Sequence, residues 1–264
     1  MNKAVVIIPI YKQKYSEREK MSLVQCCKIL AKHNFLLVCP NDLDIKEYVE
    51  LLNFYKINYT IERFENKFFE SLKEYNQLML DVEFYKKFSL YDFMLVYQLD
   101  AYVFRDELEY WCGKNYAYIG APWFEGFNLS NRNSELLDIS GNGGFSLRKI
   151  SNFISILNQQ KKTVALNEDL FFSKYAPKLD STFNVAPPEV VMHFSFECQP
   201  RRLYQMTGNK LPFGCHAWEK YDPIFWNNFI KIGLFTSINL HFKAKIMYLK
   251  NKTKSECAKL FFSK

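Results

Sequence analysis

Glycine and proline are scarce in this sequence, nine of each in 264 residues, and the seven cysteines are odd in number and contain no CxxC pair. Thiols so arranged read as reduced groups of a cytosolic protein rather than as a disulfide framework. No stretch approaches the roughly 18 apolar residues that span a bilayer. The N-terminal apolar run, residues 4–10, is too short for a signal peptide and reads as a first strand. Neither GxGxxG nor a Walker GK[ST] occurs, which excludes a dinucleotide fingerprint and a P-loop. What is present is a globular composition, 48% hydrophobic and 24% charged, with 25 Phe, 17 Tyr and 4 Trp. A chain this long buries about 70–75% of its unfolded surface, so it needs no metal or disulfide to hold a core. With so few glycines, the three at 141, 143 and 144 stand out.

The net charge of +7 is not spread over the chain. Residues 231–264 hold eight lysines against the single Glu256, so residues 1–230 are close to neutral. A general nucleic-acid groove is disfavoured by that distribution, and no nucleic-acid partner is expected. The tail mixes its lysines with Phe235, Ile238, Leu240, Phe242, Ile246, Met247 and Leu249. Two readings stand: an amphipathic basic segment on an anionic membrane surface, or a C-terminal helix packed on the domain with a solvated lysine face.

The β-branched run of residues 4–10 reads as a strand buried on both faces. Residues 17–32 have helical spacing, 35–39 form a second strand, 44–55 a helix, 58–64 a third strand and 70–88 one long helix. This alternation is a parallel α/β layout. Residues 93–97 (FMLVY) form the next buried strand and deliver Gln98, Leu99 and Asp100 to its carboxyl end, where open α/β sheets bind ligands. Beyond residue 100 the pattern loosens into short segments at 117–119, 144–147 and 190–194, with one good helix over 150–160. There are no repeats and no low-complexity linker. The chain divides into a domain over 1–230 and a basic extension over 231–264.

Three motifs can carry chemistry, and each has a plainer structural reading. In YQLDAYVF (97–104), Asp100 is either a turn or helix cap or a ligand-facing carboxylate on the same side as Gln98. In SGNGGFSLRK (140–149), Gly143 and Gly144 form a tight turn, or let the backbone approach a ligand closely. In NEDLFFSKYA (167–176), Asn167 is an N-cap with acids in the first turn, and the same geometry aims Glu168 or Asp169 into a crevice as a general base. His193 and His216 lie in aromatic-rich segments where each alone reads as structural.

In this order the pieces resemble glycosyltransferases of the GT-A fold. More closely, YQLDAYVF, YIGAPW (118–123), GNGGFSLR, NEDLFF and LPFGCHAW are similar to a group of bacterial glycosyltransferase-like proteins known mainly as a domain of unknown function. The similarity spans about residues 4–226. It implies a single α/β domain with a central, mostly parallel twisted sheet flanked by helices; the basic helical tail lies outside it. It implies a hexosyltransferase that uses a nucleoside-diphosphate sugar, foremost a UDP-sugar. The acceptor is a glycan or lipid-linked glycan in bacterial surface polysaccharide, lipopolysaccharide or capsule assembly.

The resemblance further implies donor contacts at Pro9, Tyr11, Gln98, Asp100, Gly143, Gly144 and Arg148, with Trp123 and Trp218 at the acceptor. Asp169 matches the base that deprotonates the acceptor in inverting members, and Glu168 its neighbour. The DxD position reads Gln98-Leu99-Asp100, a departure that leaves Asp100, with His216 or His193, to bind Mn²⁺ or Mg²⁺. The implied location is cytoplasmic, peripheral at the inner face of the cell membrane. Two rivals remain, a sugar-phosphate nucleotidyltransferase and a non-catalytic carbohydrate-binding protein. Residues 9–20 contain no glycine, which counts against the nucleotidyltransferase and its Gly-rich phosphate loop.

Overall fold

A computed structural model describes residues 3–159, 167–231 and 234–262, with side chains described for all of these except 234–237 and 253–262. The tail residues from 253 onward that enter the lysine count therefore lie outside the described side chains. Among the described residues eleven strands occur in chain order: β1 Ala4–Pro9, β2 Asn34–Pro40, β3 Tyr59–Phe64, β4 Phe93–Tyr97, β5 Tyr102–Val103, β6 Tyr118–Ile119, β7 Ala121–Phe124, β8 Leu136–Gly141, β9 Phe145–Lys149, β10 Ser195–Phe196 and β11 Gly214–Cys215. The main sheet has the order β3-β2-β1-β4-β9-β6. Strands β1 to β4 pair in parallel, and only β9 runs against its neighbours.

Alternation along β1 explains the continuous apolar run. Val6 and Ile8 face one core with Phe35, Leu37, Leu95 and Tyr97. Val5 and Ile7 face another with Leu36, Val38, Met94 and Val96. A strand covered on both faces favours apolar residues at both parities. The first helix, Glu17–Ile29, starts with a capping box in which Ser16 and Glu19 satisfy each other's backbone N–H groups.

Two expectations are corrected. The single helix over 70–88 is two, Leu72–Met79 and Val82–Lys86, because Asp81 takes an extended conformation and accepts from Glu83 N at 2.9 Å, capping a new helix. The segment 190–194 belongs to a helix, Pro188–Phe194, whose first position is a proline preset for that geometry.

Two smaller sheets complete the second half. Strands β7 and β8 form an antiparallel pair in which Ala121 faces Gly141. In the three-stranded sheet β10-β11-β5, Phe196 pairs with Cys215 and Cys215 with Tyr102. That register sets Glu197 and His216, the next residues of their strands, and Asp100, two residues before Tyr102, at the same end of the sheet. Behind it lies a third apolar cluster of Phe124, Phe196, Trp218, Phe225 and Trp226. The C-terminal helix, Leu234–Phe262, docks on this cluster through Leu240. Trp218 is fully buried there, so the expected acceptor contact at Trp218 is corrected: its ring packs the core and is closed to any sugar.

Candidate active site

The crevice opens at the carboxyl ends of the parallel strands, where the motifs converge. A central cavity of about 410 Å³ is lined by Gln98 after β4, by Asn142, Gly143 and Gly144 before β9, and by Glu168, Asp169, Glu197 and His216. Trp123 lines the same cavity, its ring 5.3 Å from that of Phe127 in an edge contact. A neighbouring cavity of about 340 Å³ shares Leu72, Tyr75 and Gln98 with it and adds Pro9, Tyr11 and Phe69. The first of these is thus rich in carboxylates and the second in apolar and aromatic surface.

The GNGG turn is fixed from both sides. Asn142 Oδ1 accepts from Gly144 N at 2.8 Å and from Phe145 N at 3.1 Å, while Gln98 N donates to Gly144 O at 2.8 Å. Neither Gly143 nor Gly144 has a positive φ; what each supplies is closeness. A Cβ on Gly143 would fall 2.4 Å from Glu168 Oε1, and one on Gly144 would fall 2.0 Å from His216 Nε2. The glycines are therefore required by the side chains that stand over them.

Arg148 is the largest correction to the expected donor contacts. It is fully buried, and its guanidinium donates to Tyr85 OH at 2.8 Å, Ser146 Oγ at 3.1 Å, Glu168 Oε1 at 3.2 Å and Gly143 O at 3.3 Å. The Tyr118 and Phe153 rings lie 5.8 and 5.5 Å from it. No donor molecule can reach a group so enclosed. Its role is to hold Glu168, whose carboxyl burial pushes upward and Arg148 pulls back. Burial acts to lower the pKa of Arg148, but Glu168 and the surrounding tyrosines outweigh it and hold the guanidinium charged.

Asp169 follows directly and is only partly buried. Burial is the main cause that raises its carboxyl to about 7, with the Glu168 and Glu197 carboxylates adding to it against the Leu170 N–H, which donates to Oδ1 at 2.7 Å. The short helix Glu168–Leu170 passes at once into a π turn, Phe171–Tyr175, which buries Phe171 and Phe172 behind the acids. Asn167 stands at the N-cap position, but its side chain makes no capping bond. Glu168 Oε2 and Asn142 Nδ2 are buried without hydrogen-bond partners among the described residues, an acceptor and a donor on residues lining the cavity. Unpaired buried polar atoms are costly, and a polyhydroxylated ligand would satisfy both.

His216 lies between two acids. Its Nδ1 is 3.1 Å from Glu197 Oε1 and its Nε2 is 3.1 Å from Asp100 Oδ1. Burial works to lower its pKa, but Asp100 and Glu197 outweigh it and raise the imidazole to about 10. Asp100, half-buried, is lowered: burial opposes, and His216 and Lys220 prevail. Nε2 lacks an aligned hydrogen bond, and among the described residues no group of three His, Cys, Asp or Glu side chains is placed to hold a metal. Asp100 and His216 stand 3.1 Å apart, but the imidazole, held protonated between two acids, would have to lose its proton before Nε2 could take a metal. His193, the other candidate ligand, is exposed on its helix and does not line the cavity, so it is removed from that role.

Glu197, Lys220 and Tyr75 were not singled out in the sequence. Lys220 had a usable signal, one helical turn's distance after His216. Glu197 had none, since its partner is brought in by the pairing of β10 and β11.

Removing one partner of the buried pair should show its weight. Arg148→Met leaves Glu168 without its counter-charge and should cost about 3–5 kcal/mol in urea unfolding. Adding Glu168→Leu should recover most of that loss. A single variant within about 1 kcal/mol of the parent would contradict the role given to Arg148.

Comparison with known proteins places the fold. The chain superposes over 93% of its length on the glycosyltransferase GlyE of Streptococcus pneumoniae TIGR4, with a TM-score of 0.51 at 9% identity, and spans 64% of that chain. A glycosyltransferase involved in glycosylation of the major capsid of PBCV-1 is similar over 87% of this chain and 100% of its own, with a TM-score of 0.45 at 10% identity. Core-mannan synthase A of Aspergillus fumigatus, in a Mn/GDP form, is similar over 66% of this chain and 67% of its own, with a TM-score of 0.43 at 10% identity. No curated protein sequence matches. The likeness to GlyE and the mixed sheet show the expected GT-A-like α/β fold, a central, mostly parallel sheet flanked by helices. Residues 58–216, more than half of the sequence, match the family model described as "Protein of unknown function (DUF5672)", and the chain belongs to that family.

Proposed function

We propose that this protein is a glycosyltransferase that moves a sugar from a nucleoside-diphosphate donor, foremost a UDP-sugar, to a hydroxyl of a glycan acceptor. The observation that carries this reading is Asp169, a carboxylate with a pKa near 7 in a cavity that also holds an unpaired acceptor and an unpaired donor. The apolar cavity lined by Pro9, Tyr11, Tyr75 and Gln98 suits a nucleoside, and the central one the donor sugar. Asn142 Nδ2 and Glu168 Oε2 would bind its hydroxyls, with Trp123 against the acceptor.

In the reaction, Asp169 takes the proton of the acceptor hydroxyl. That oxygen attacks C1 of the donor sugar from the face opposite the diphosphate, and the C1–O bond breaks with the electron pair leaving on the diphosphate. Inversion follows because a single displacement needs one free base. Glu168 is committed to Arg148 and Glu197 to His216, leaving Asp169 as the available carboxylate. Lys220 and the His216 imidazolium place positive charge where the diphosphate departs. Once His216 is deprotonated, it and Asp100 would hold Mn²⁺ or Mg²⁺, whose Lewis-acid charge would then replace that of the imidazolium at the leaving group.

Asp169→Asn should lower kcat by roughly 10²- to 10⁴-fold while nucleotide-sugar affinity persists. Because the base works deprotonated and its pKa is raised to about 7, kcat/KM should climb with pH up to about 7 and level off above it. Turnover measured as nucleoside-diphosphate release checks both, and an Asp169→Asn variant near the parental kcat would sink the assignment.

A role in bacterial surface polysaccharide, lipopolysaccharide or capsule assembly, at the inner face of the cell membrane, is supported by the extension over 231–264. No helix among the described residues is long and apolar enough to cross a membrane. On the C-terminal helix, however, Phe242, Ile246 and Leu249 are 59, 54 and 53% exposed. At about 100° per residue they fall within about 60° of one another, with Lys243 and Lys250 on one flank and Lys245 and Lys252 on the other. An apolar stripe edged by lysines suits a surface of anionic lipid. The protein should co-sediment with phosphatidylglycerol vesicles at low salt. The double substitution Phe242→Ser with Ile246→Ser should reduce this at least fivefold, and equal sedimentation of the two proteins would remove the claim.

A further inference from the structure

Beyond the central cavity lies a larger one, about 680 Å³, with no role in the chemistry described so far. It adjoins the central cavity, since Asn128 and Lys220 line both. Its walls are the loop at 128–132, the start of the helix Pro200–Met206, and the C-terminal helix between 241 and 251. That last wall is the face of the helix opposite the apolar stripe.

The charge of this groove is one-sided. Arg132, Arg201, Arg202, Lys220 and Lys245 line it, and the one carboxylate among its lining residues is Asp222, already taken by Arg201. Arg132, Arg202, Lys220 and Lys245 form no ion pair within 4 Å among the described residues. The central cavity is mixed, with Glu168, Asp169 and Glu197 in its lining beside His216 and Lys220. A fold that concentrates cations free of ion pairs in a concave space beside a cleft holding carboxylates presents two different chemistries to one elongated ligand.

We propose that this groove binds a phosphate or pyrophosphate group of the acceptor, so that the acceptor substrate is a glycosyl phosphate whose free hydroxyl reaches Asp169. This rests on the transferase reading, because the nucleoside and donor sugar fill the other two cavities and leave the third to the acceptor. Arginine suits the site, since its planar fork binds phosphate oxygens in pairs, and the lysines add point charge. The same group comes from two sources, a soluble sugar phosphate or a polyprenyl phosphate carrier in a membrane.

The test uses the full chain saturated with UDP, which occupies the donor diphosphate position. Calorimetry with α-D-glucose 1-phosphate and with uncharged methyl α-D-glucoside should show binding of the phosphate alone. The double substitution Arg132→Gln with Lys245→Gln, at exposed positions without ion pairs, should weaken that binding at least tenfold and leave UDP affinity unchanged. Equal affinity for the two sugars, or an unchanged affinity in the variant, would overturn the proposal. If the protein binds glucose 1-phosphate with this dependence but does not bind UDP, the groove stands and the donor reading fails. Phosphatidylcholine vesicles carrying polyprenyl phosphate distinguish the sources. Displacement of glucose 1-phosphate by these vesicles, and not by plain ones, assigns the site to a lipid carrier, and its absence assigns it to the soluble phosphate.

Discussion

The guanidinium of Arg148, sealed between aromatic rings and bound to Glu168, is the constraint from which the rest of the site follows. Burying both charges is expensive, and it holds only because every face of the guanidinium is occupied by Tyr85, Ser146, Gly143 and Glu168. Glu168 is thereby fixed against the backbone of the GNGG turn, so closely that Gly143 has no room for a side chain. Fixing Glu168 fixes the start of its helix, which leaves Asp169 one residue further on, raised by burial and by its neighbour's charge. The turn, the ion pair and the base are one unit, and a change in any of them is felt by the other two.

This unit was legible as sequence and misread as chemistry. GNGGFSLR and NEDLFF stood out because glycine is scarce here and because paired acids before an aromatic run are unusual. Their meeting in space is what the resemblance to GT-A transferases implied. Arg148 was assigned to the donor because the resemblance implies a donor contact there. In the structure Met94 and Val96 lie opposite Arg148 and Ser146, and both faces of the sheet are covered, so the polar parity is buried too. Trp218 failed for a related reason: an aromatic beside a motif residue reads as a ligand surface until the packing behind it is known. Glu197 was invisible, since only the register of β10 on β11 sets it beside His216. The parallel half, with its strict alternation of strand and helix, was readable almost element by element. It departed only where Asp81 restarts a helix.

Electrostatically the crevice is ordered along its length. An apolar and aromatic cavity at the ends of β1 and β4 adjoins a centre of mixed charge that holds the carboxylates, and that a basic groove against the C-terminal helix. His216 and Lys220 stand at the boundary of acid and base, where a leaving diphosphate would carry its charge. The excess of lysine at the end of the chain thus serves two faces of one helix: Lys245, at one edge of the apolar stripe, also lines the groove, and Lys243 and Lys250 edge the stripe on its other side.

The central claim is that the fold itself poises Asp169 as a base near neutrality, independently of any substrate. Aspartate labelled with ¹³C at its carboxyl carbon, followed by NMR from pH 4 to pH 9 with Asp169→Asn to assign the resonance, measures this in the free protein. The account predicts a titration midpoint at about 7 for Asp169. A midpoint near 4, the ordinary value for an exposed aspartate, would contradict it.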